Sequence, residues 1–172
     1  MLAIVLALQT AASPALAPVS KWQVEYNKDE CVLSRSFGDL ARPLVFGFRP
    51  LPLAAAGELA VVLPNPLPGG KRWGRGSVTL LPDGKVFAVQ WSKGWIGSDR
   101  HGVRFDVEAE FWDALPSASA MTLDLGAKLI TVTFGSIGGA LQAAKMCTDD
   151  LLKQWNIEPS ATTRMSSSQA QA

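Results

Sequence analysis

The 172-residue chain contains only two cysteines and a single histidine. A closed zinc site needs a full set of nitrogen and sulfur ligands, and these residues are too few to supply it. The sequence also lacks the Asp-x-Asp-x-Asp-Gly pattern of a calcium loop and the glycine spacing of a phosphate-binding loop. We therefore expect neither a metal ion nor another cofactor.

An excess of one charge is absent as well. The chain has 16 Lys and Arg residues against 15 Asp and Glu residues, and its formal net charge is +1. Proteins that bind nucleic acids usually carry a clear basic patch or stripe. The one dense basic stretch is Lys71-Arg72-Trp73-Gly74-Arg75, which is typical of a solvated glycine-rich loop. We expect no nucleic-acid partner.

Long apolar runs are missing, so we expect no membrane span, which would require about 20 apolar residues. The N-terminus has a shorter apolar run up to Leu8, followed by small residues that end in Ala15-Leu16-Ala17. This order is typical of a secretory signal peptide cleaved after an Ala-x-Ala sequence. Residues 1–17 are therefore predicted to be a signal peptide, and the protein is expected to be periplasmic or secreted.

Two features of this leader leave alternatives open. No Lys or Arg precedes the apolar run, although signal peptides usually begin with positive charge. Pro18 would follow a cut after Ala17, so cleavage after Ala12 or Ala15 is an alternative. The segment could also be the first apolar strand or helix of a cytosolic domain.

Cys31 and Cys147 lie near opposite ends of the region that follows the leader. In an oxidising compartment an even number of cysteines predicts a disulfide. Their separation suits a structural link between an early strand and the last helix better than a nucleophile or a metal site. The alternative is two unrelated buried thiols.

Short strands dominate the pattern after the leader. Apolar residues alternate with polar ones in 22–26 and 103–107, and large apolar residues occupy every second position in 44–48, which predicts half-buried strands. Pro82-Asp83-Gly84 lies between two apolar runs and predicts a hairpin, because proline presets φ and glycine accepts positive φ. Gly126-Ala127 is a second hairpin candidate. We expect about eight short strands.

Two stretches differ from this pattern. Residues 64–76 contain three prolines and four glycines, and they are predicted to form the longest loop. From Ile137 to Trp155 the apolar residues recur at steps of three and four, which predicts an amphipathic helix with Cys147 on its apolar side. A short helix is predicted within 108–115, before Pro116.

Together these patterns predict one mainly β domain over residues 18–157. Its architecture is expected to be an antiparallel β-sandwich or a partly open barrel, capped by the C-terminal helix. Residues 158–172 are mostly Ser, Thr, Gln and Ala, with too little apolar surface to fold, and are predicted to be a disordered tail.

Catalytic candidates centre on the single histidine, His101. Asp99, Asp106 and Glu108 are the nearby carboxylates that could act with it as acid–base groups. The Gly-x-Ser-x-Gly pattern of a serine hydrolase is missing. Asp106, Glu108 and Glu110 alternate along the chain, which is typical of the solvated face of a strand. The sequence therefore predicts no catalytic residues.

Three of the six tryptophans, Trp73, Trp91 and Trp95, occur near glycines or polar residues, in or beside predicted loops. Exposed tryptophans can stack on sugars or receive a peptide. With Arg72 and Arg75 they form the candidate binding surface. The alternative is that these rings roof one end of the β domain.

Three segments carry a resemblance to known proteins: Trp22-x-Val24, the run from Asp29 to Gly38, and Cys147-Thr-Asp-Asp-Leu-Leu-x-x-Trp155. They resemble uncharacterised small exported proteins of Gram-negative bacteria and, more distantly, the invasion-associated locus B family. The resemblance implies a secreted β-rich domain with a non-enzymatic role. No catalytic residues are carried over from that family.

The sequence thus favours an exported, non-enzymatic binding module of the cell envelope. We expect it to be a monomer whose partner is an unknown envelope protein or glycan. One alternative is a hydrolase of an envelope polymer that uses Asp99, His101 and either Asp106 or Glu108. Another is a purely structural accessory domain joined to a further module through its tail.

Overall fold

The structure is a computed structural model, and it describes residues 14–51, 56–67, 71–96, 100–126 and 128–158. These ranges contain nine strands, two α-helices and one 3-10 turn. The strands are β1 (Gln23–Tyr26), β2 (Cys31–Phe37), β3 (Leu44–Pro50), β4 (Ala56–Val62), β5 (Trp73–Leu81), β6 (Lys85–Ile96), β7 (Arg100–Glu108), β8 (Ala120–Asp124) and β9 (Leu129–Thr133). The helices are α1 (Ala109–Ala114) and α2 (Gly138–Gln154), with the 3-10 turn at Leu115–Ser117.

All nine strands belong to one antiparallel sheet in the order β1-β2-β3-β4-β7-β6-β5-β8-β9. Strands β1 to β4 form a meander. After β4 the chain skips two places in the sheet and forms β5. It then returns through β6 to β7, which fills the place beside β4 and pairs with it. The sheet curls into a half-barrel capped by α2, so the predicted mainly β fold is confirmed in its partly open barrel form.

Because side chains alternate between the two faces of each strand, one row of large side chains lies on the inner face of the half-barrel. Leu33, Phe48, Leu59, Phe105 and Trp91 are successive cross-strand partners from β2 to β6, and each is at most 8% exposed. Because neighbours in a row point to the same face of a sheet, these side chains pack side by side. The predicted alternating strands therefore supply the core.

Both predicted hairpins are present. Gly84 has φ +69° and its N–H donates to the carbonyl of Leu80 at 2.9 Å, which closes the β5–β6 turn. Gly126 has φ +78°, and its N–H donates to the carboxylate of Asp124 at 2.7 Å. Glycine accepts such left-handed backbone without a Cβ clash. Ala127 lies outside the described residues.

The segment before β1 joins the two ends of the curled sheet. Leu16 exchanges backbone hydrogen bonds with Thr131 and Thr133 around β9, at 2.8 and 3.0 Å. On its other side, the carbonyl of Ala17 accepts from Gly38 N–H at 2.9 Å, next to β2. The half-barrel is therefore bridged across its opening by residues 16 and 17.

Arg35 strengthens this junction from β2. Its guanidinium donates to the carbonyls of Ser20 and Phe134, both at 2.9 Å, and lies over the ring of Trp22. Trp22 in turn packs against Phe134 with ring centroids 6.2 Å apart. The predicted signal-peptide boundary at residue 17 stays a prediction, but two of its last residues bond to the sheet in this structure.

Helix α2 packs against β1, β2 and the 3-10 turn. Its buried residues Leu141, Ala144, Leu151 and Leu152 follow the predicted apolar spacing. Cys147 forms a disulfide with Cys31 at the start of β2, with a Cα–Cα distance of 6.0 Å. The predicted link between an early strand and the last helix is confirmed.

The short helix predicted within 108–115 is also confirmed, as α1. Its Trp112 is 6% exposed and packs over Gly57 of β4, where a Cβ atom would lie 2.3 Å from the indole. Of the predicted tail, only Glu158 is among the described residues, and so the prediction of disorder for 158–172 is not addressed.

One loop prediction is wrong at its C-terminal end. Residues 64–76 were expected to be loop throughout, whereas β5 begins at Trp73. Two of the four glycines that suggested a loop, Gly74 and Gly76, serve close approach instead. A Cβ atom on Gly74 would lie 2.3 Å from Trp91, and one on Gly76 would lie 2.1 Å from the carbonyl oxygen of Asp124. Glycine in a strand can mark such contacts.

Breaking the disulfide should destabilise the fold, because the link closes a long loop in the unfolded chain. The two cysteines are 116 residues apart. We expect the double variant Cys31→Ser/Cys147→Ser to lose about 2–4 kcal/mol of unfolding free energy in urea titrations. Reducing the wild-type protein should reproduce that loss, and reductant should not affect the variant. Equal midpoints for wild type and variant would show that the link contributes nothing.

Candidate functional site

Trp73 stands at the start of β5 with 78% of its surface exposed. Its cross-strand partner is Ser92 of β6, so both side chains are on the face opposite the core row of Trp91. A surface cleft of about 540 Å³ adjoins the indole, and we call it the cationic cleft. Its lining residues are Lys71, Arg72, Trp73, Gly74, Arg75 and Gln90.

The cleft is named for its charge. Arg75 lies two residues beyond Trp73 on the same face of β5, opposite Gln90. Lys71 and Arg72 precede the strand and are exposed. Within the described part of the chain, no carboxylate forms an ion pair with any of these three cations. The cleft therefore combines an open aromatic face with uncompensated positive charge.

Two arginines elsewhere on this outer face are paired with carboxylates. Arg49 of β3 contacts Glu30 at 2.8 Å and Glu58 at 3.2 Å, and Arg104 of β7 approaches Glu58 at 3.8 Å. Burial lowers the pKa of Arg49, but the hydrogen bond that Arg49 donates to Glu30 and the negative charge of Glu58 outweigh this and raise its pKa above the ordinary value. These cations are already engaged, unlike those beside Trp73.

Trp91 belongs to the core, contrary to its predicted place in or beside a loop. It lies in the middle of β6 and is 8% exposed. Its indole N–H donates to the carbonyl of Arg75 at 3.2 Å, and its ring lies against Gly74. Trp91 thus supports the cationic cleft from behind and is not available as a contact surface.

Trp95 is 56% exposed but does not join Trp73. It is three residues beyond Ser92 on β6, and an odd offset places it on the opposite face of the strand. Its ring contacts the imidazole of His101 of β7, with centroids 3.9 Å apart and the rings tilted by 33°. The predicted surface of three tryptophans therefore divides into one buried ring and two exposed rings on different faces.

Among the described residues, the acid–base candidates His101 and Asp106 are not brought together. His101 and Asp106 are both on β7, and five residues at about 3.3 Å each separate their Cα atoms by about 16 Å. The odd offset also places them on opposite faces. Asp99 lies outside the described residues. Searching the described ranges finds no cluster of three His, Cys, Asp or Glu residues that could hold a metal ion.

Neither a protein-family model, nor a curated protein, nor a solved structure matches this chain. The resemblance to exported proteins and to the invasion-associated locus B family therefore stays a prediction. Among the described residues, no helix has the length and apolar character to cross a membrane.

Lys71 and Gln90 were missed as parts of the site. The sequence offered one usable signal, because Trp73 and Arg75 have the two-residue spacing of neighbours on one strand face. This strand spacing was not recognised because the prolines and glycines of 64–76 indicated a loop. Nothing in the sequence pattern marks Gln90, which reaches the cleft only through its pairing with Arg75.

The two tryptophans should differ in their contribution to stability. We expect Trp91→Ala to lower the unfolding free energy by about 3–5 kcal/mol, because it removes a buried ring. Trp73→Ala should change it by less than about 0.5 kcal/mol, since the ring is exposed. Urea denaturation followed by circular dichroism measures both. A Trp73→Ala variant as unstable as Trp91→Ala would mean that Trp73 is packed in solution.

Proposed function

We propose that this chain is an exported, non-enzymatic binding module of the cell envelope, and that the cationic cleft holds a glycan bearing carboxylate or phosphate groups. The observation that carries the proposal is the 78% exposure of Trp73 beside cations that have no ion-pair partner among the described residues. An exposed indole presents an apolar face that a sugar ring can cover. Arginine offers paired N–H donors that match carboxylate and phosphate oxygens.

The placement of the cleft on strands also favours binding. Trp73 and Arg75 are on β5, and Trp91 holds that strand from the core side. A site on a rigid strand loses little conformational entropy when a ligand binds. Tryptophan and arginine are the residues most often found to dominate binding energy at interfaces. An envelope protein that presents anionic groups would use the same chemistry.

Export is supported by the disulfide and by the leader pattern. A structural disulfide persists in the periplasm or outside the cell and is rare in the cytosol. The bonds of Leu16 and Ala17 to the two ends of the sheet favour cleavage after Ala12 or Ala15. A cut after Ala17 would remove both residues from the junction.

The non-enzymatic role rests on the separation of the acid–base candidates. A histidine and a carboxylate must come within hydrogen-bond reach to share a proton, and His101 contacts the ring of Trp95 instead of facing Asp106 or Glu108. The purely structural role remains the second candidate. It is favoured by the way α2 and the disulfide tie the two ends of the domain together.

Glycan binding can be tested with alginate oligosaccharides, which carry a carboxylate on each sugar, and with neutral dextran oligosaccharides. We expect calorimetry to show binding of the uronate chains only, weakening as salt rises. Trp73→Ala and the double variant Arg72→Gln/Arg75→Gln should each raise Kd by about tenfold or more, since a stacked ring contributes about 1–3 kcal/mol.

Matched controls are Trp95→Ala, which removes the other exposed indole, and Arg42→Gln, which removes an exposed arginine elsewhere. Both should bind like wild type. Equal binding of alginate and dextran, or unchanged binding by Trp73→Ala, would refute the assignment of this cleft.

Export can be tested by expressing the full chain in a Gram-negative host and measuring the intact mass of the protein in each fraction. We expect a periplasmic or secreted form that begins at Ser13 or Leu16. Its mass should also show an oxidised cysteine pair. An uncleaved cytosolic protein would overturn the proposed location, and a mature form that begins at Pro18 would overturn the proposed cleavage position.

A further inference from the structure

Strands β6 and β7 separate over half of their length. Their pairing runs only from Trp91 with Phe105 to Ile96 with Arg100. The remaining half of β6, from Lys85 to Gln90, is paired with β5 on one side. A cleft of about 520 Å³ opens on its other side, and we call it the β6–β7 cleft. Its lining residues are Val86, Phe87, Ala88, Val89, Asp106, Val107, Glu108, Ala109, Glu110 and Phe111.

The backbone of β6 faces this cleft with unused hydrogen-bonding groups. Lys93 donates its N–H to Arg72, on the β5 side. Backbone direction alternates along an antiparallel strand, so Phe87 and Val89 also point to β5, while Val86 and Ala88 point to the cleft. No strand among the described residues pairs with β6 at these two positions on the cleft side. Each offers one donor and one acceptor.

Between Val86 and Val89 this edge has no charge, proline or bulge, and the only nearby charge on β6 is Lys85, whose ammonium lies over the ring of Phe87. Natural sheets block exposed edges with charges, prolines or bulges. Here the run from Val86 to Val89 is apolar throughout, and the Val86 side chain is 62% exposed. An open, apolar and extended edge is the feature that accepts an added strand in peptide-binding domains.

The residues that line the cleft determine which side chains an added strand should carry. Asp106 and Glu108 are exposed on the outer face of β7, and Glu110 follows at the start of α1. Where the chain is described, none of these carboxylates has an ion-pair partner. On the inner side Phe87 contacts Phe111, with ring centroids 5.5 Å apart. One face of an incoming strand would meet carboxylates, and the other would meet the half-buried ring of Phe87, behind which Phe111 is buried.

We propose that the β6–β7 cleft binds an extended peptide segment with alternating basic and apolar residues, which pairs with β6 as an additional strand. The two-residue period of a strand directs the basic side chains to Asp106 and Glu108 and the apolar ones to Phe87. The site shares no lining residue with the cationic cleft, and its charge is opposite. The proposal therefore does not depend on glycan binding.

The test is fluorescence anisotropy with a fluorescein-labelled Lys-Val-Lys-Val-Lys-Val amide at low and high salt. We expect saturable binding that weakens as salt rises. A Glu-Val repeat of equal length should not bind. A Lys-Val repeat methylated on every backbone nitrogen should not bind either, because it keeps the charge but has no backbone N–H to donate to β6. This peptide control requires no change in the protein.

Two protein variants complete the test. Ala88→Pro removes only the N–H that faces the cleft and should weaken binding about tenfold. Asp106→Asn/Glu108→Gln should weaken it about three- to tenfold at low salt. The matched control Asp29→Asn/Glu25→Gln removes two exposed carboxylates elsewhere and should bind like wild type.

Three results would overturn the proposal. They are equal binding of the N-methylated peptide, an absence of saturable binding at low salt, and unchanged affinity in both variants. Sedimentation at increasing protein concentration provides a fourth. If the protein forms a dimer that the Ala88→Pro substitution dissociates but the added peptide does not, a second copy of the chain occupies this edge instead.

Discussion

The contact of the Trp91 indole with Gly74 and with the carbonyl of Arg75 is the interaction on which both clefts depend. It fixes the first residues of β5 to the middle of β6, beyond the point where β5 also pairs with β8. Because Trp91 fills the core side, Trp73 must face outward. Trp91 is also the residue at which the pairing of β6 with β7 ends, since the residues of β6 before it do not pair with β7. One buried ring thus separates a tightly paired half of β6 from an open half.

The closure of the half-barrel explains why this sheet can carry an open cleft at all. Residues 16 and 17 bridge β9 to β2, Arg35 ties two backbone carbonyls across that junction, and the disulfide holds α2 over β1 and β2. These constraints act on the side of the sheet away from β6 and β7. The cationic cleft and the β6–β7 cleft are adjacent regions of opposite charge.

Sequence patterns anticipated much of the fold. The alternating runs around Phe46 and Phe105, the turn at Pro82-Asp83-Gly84, the final helix and the Cys31–Cys147 link all appear in the structure, because each depends on local spacing or on simple pairing. The candidate site was anticipated less well. Trp73 and Arg75 are neighbours on an exposed strand face, but Trp91 is buried and Trp95 lies on the opposite face.

Local residue order alone determined that this chain would form antiparallel strands capped by a helix, since side-chain periodicity and turn residues act over a few positions. Only the tertiary structure decided which side of β6 each tryptophan occupies, because register depends on partners distant in sequence. It also decided that Gly74 lies in a strand, where the indole of Trp91 packs against it, and not in a loop. The opening between β6 and β7 has the same origin: it arises where two strands that are neighbours in sequence follow different partners, β5 and β4.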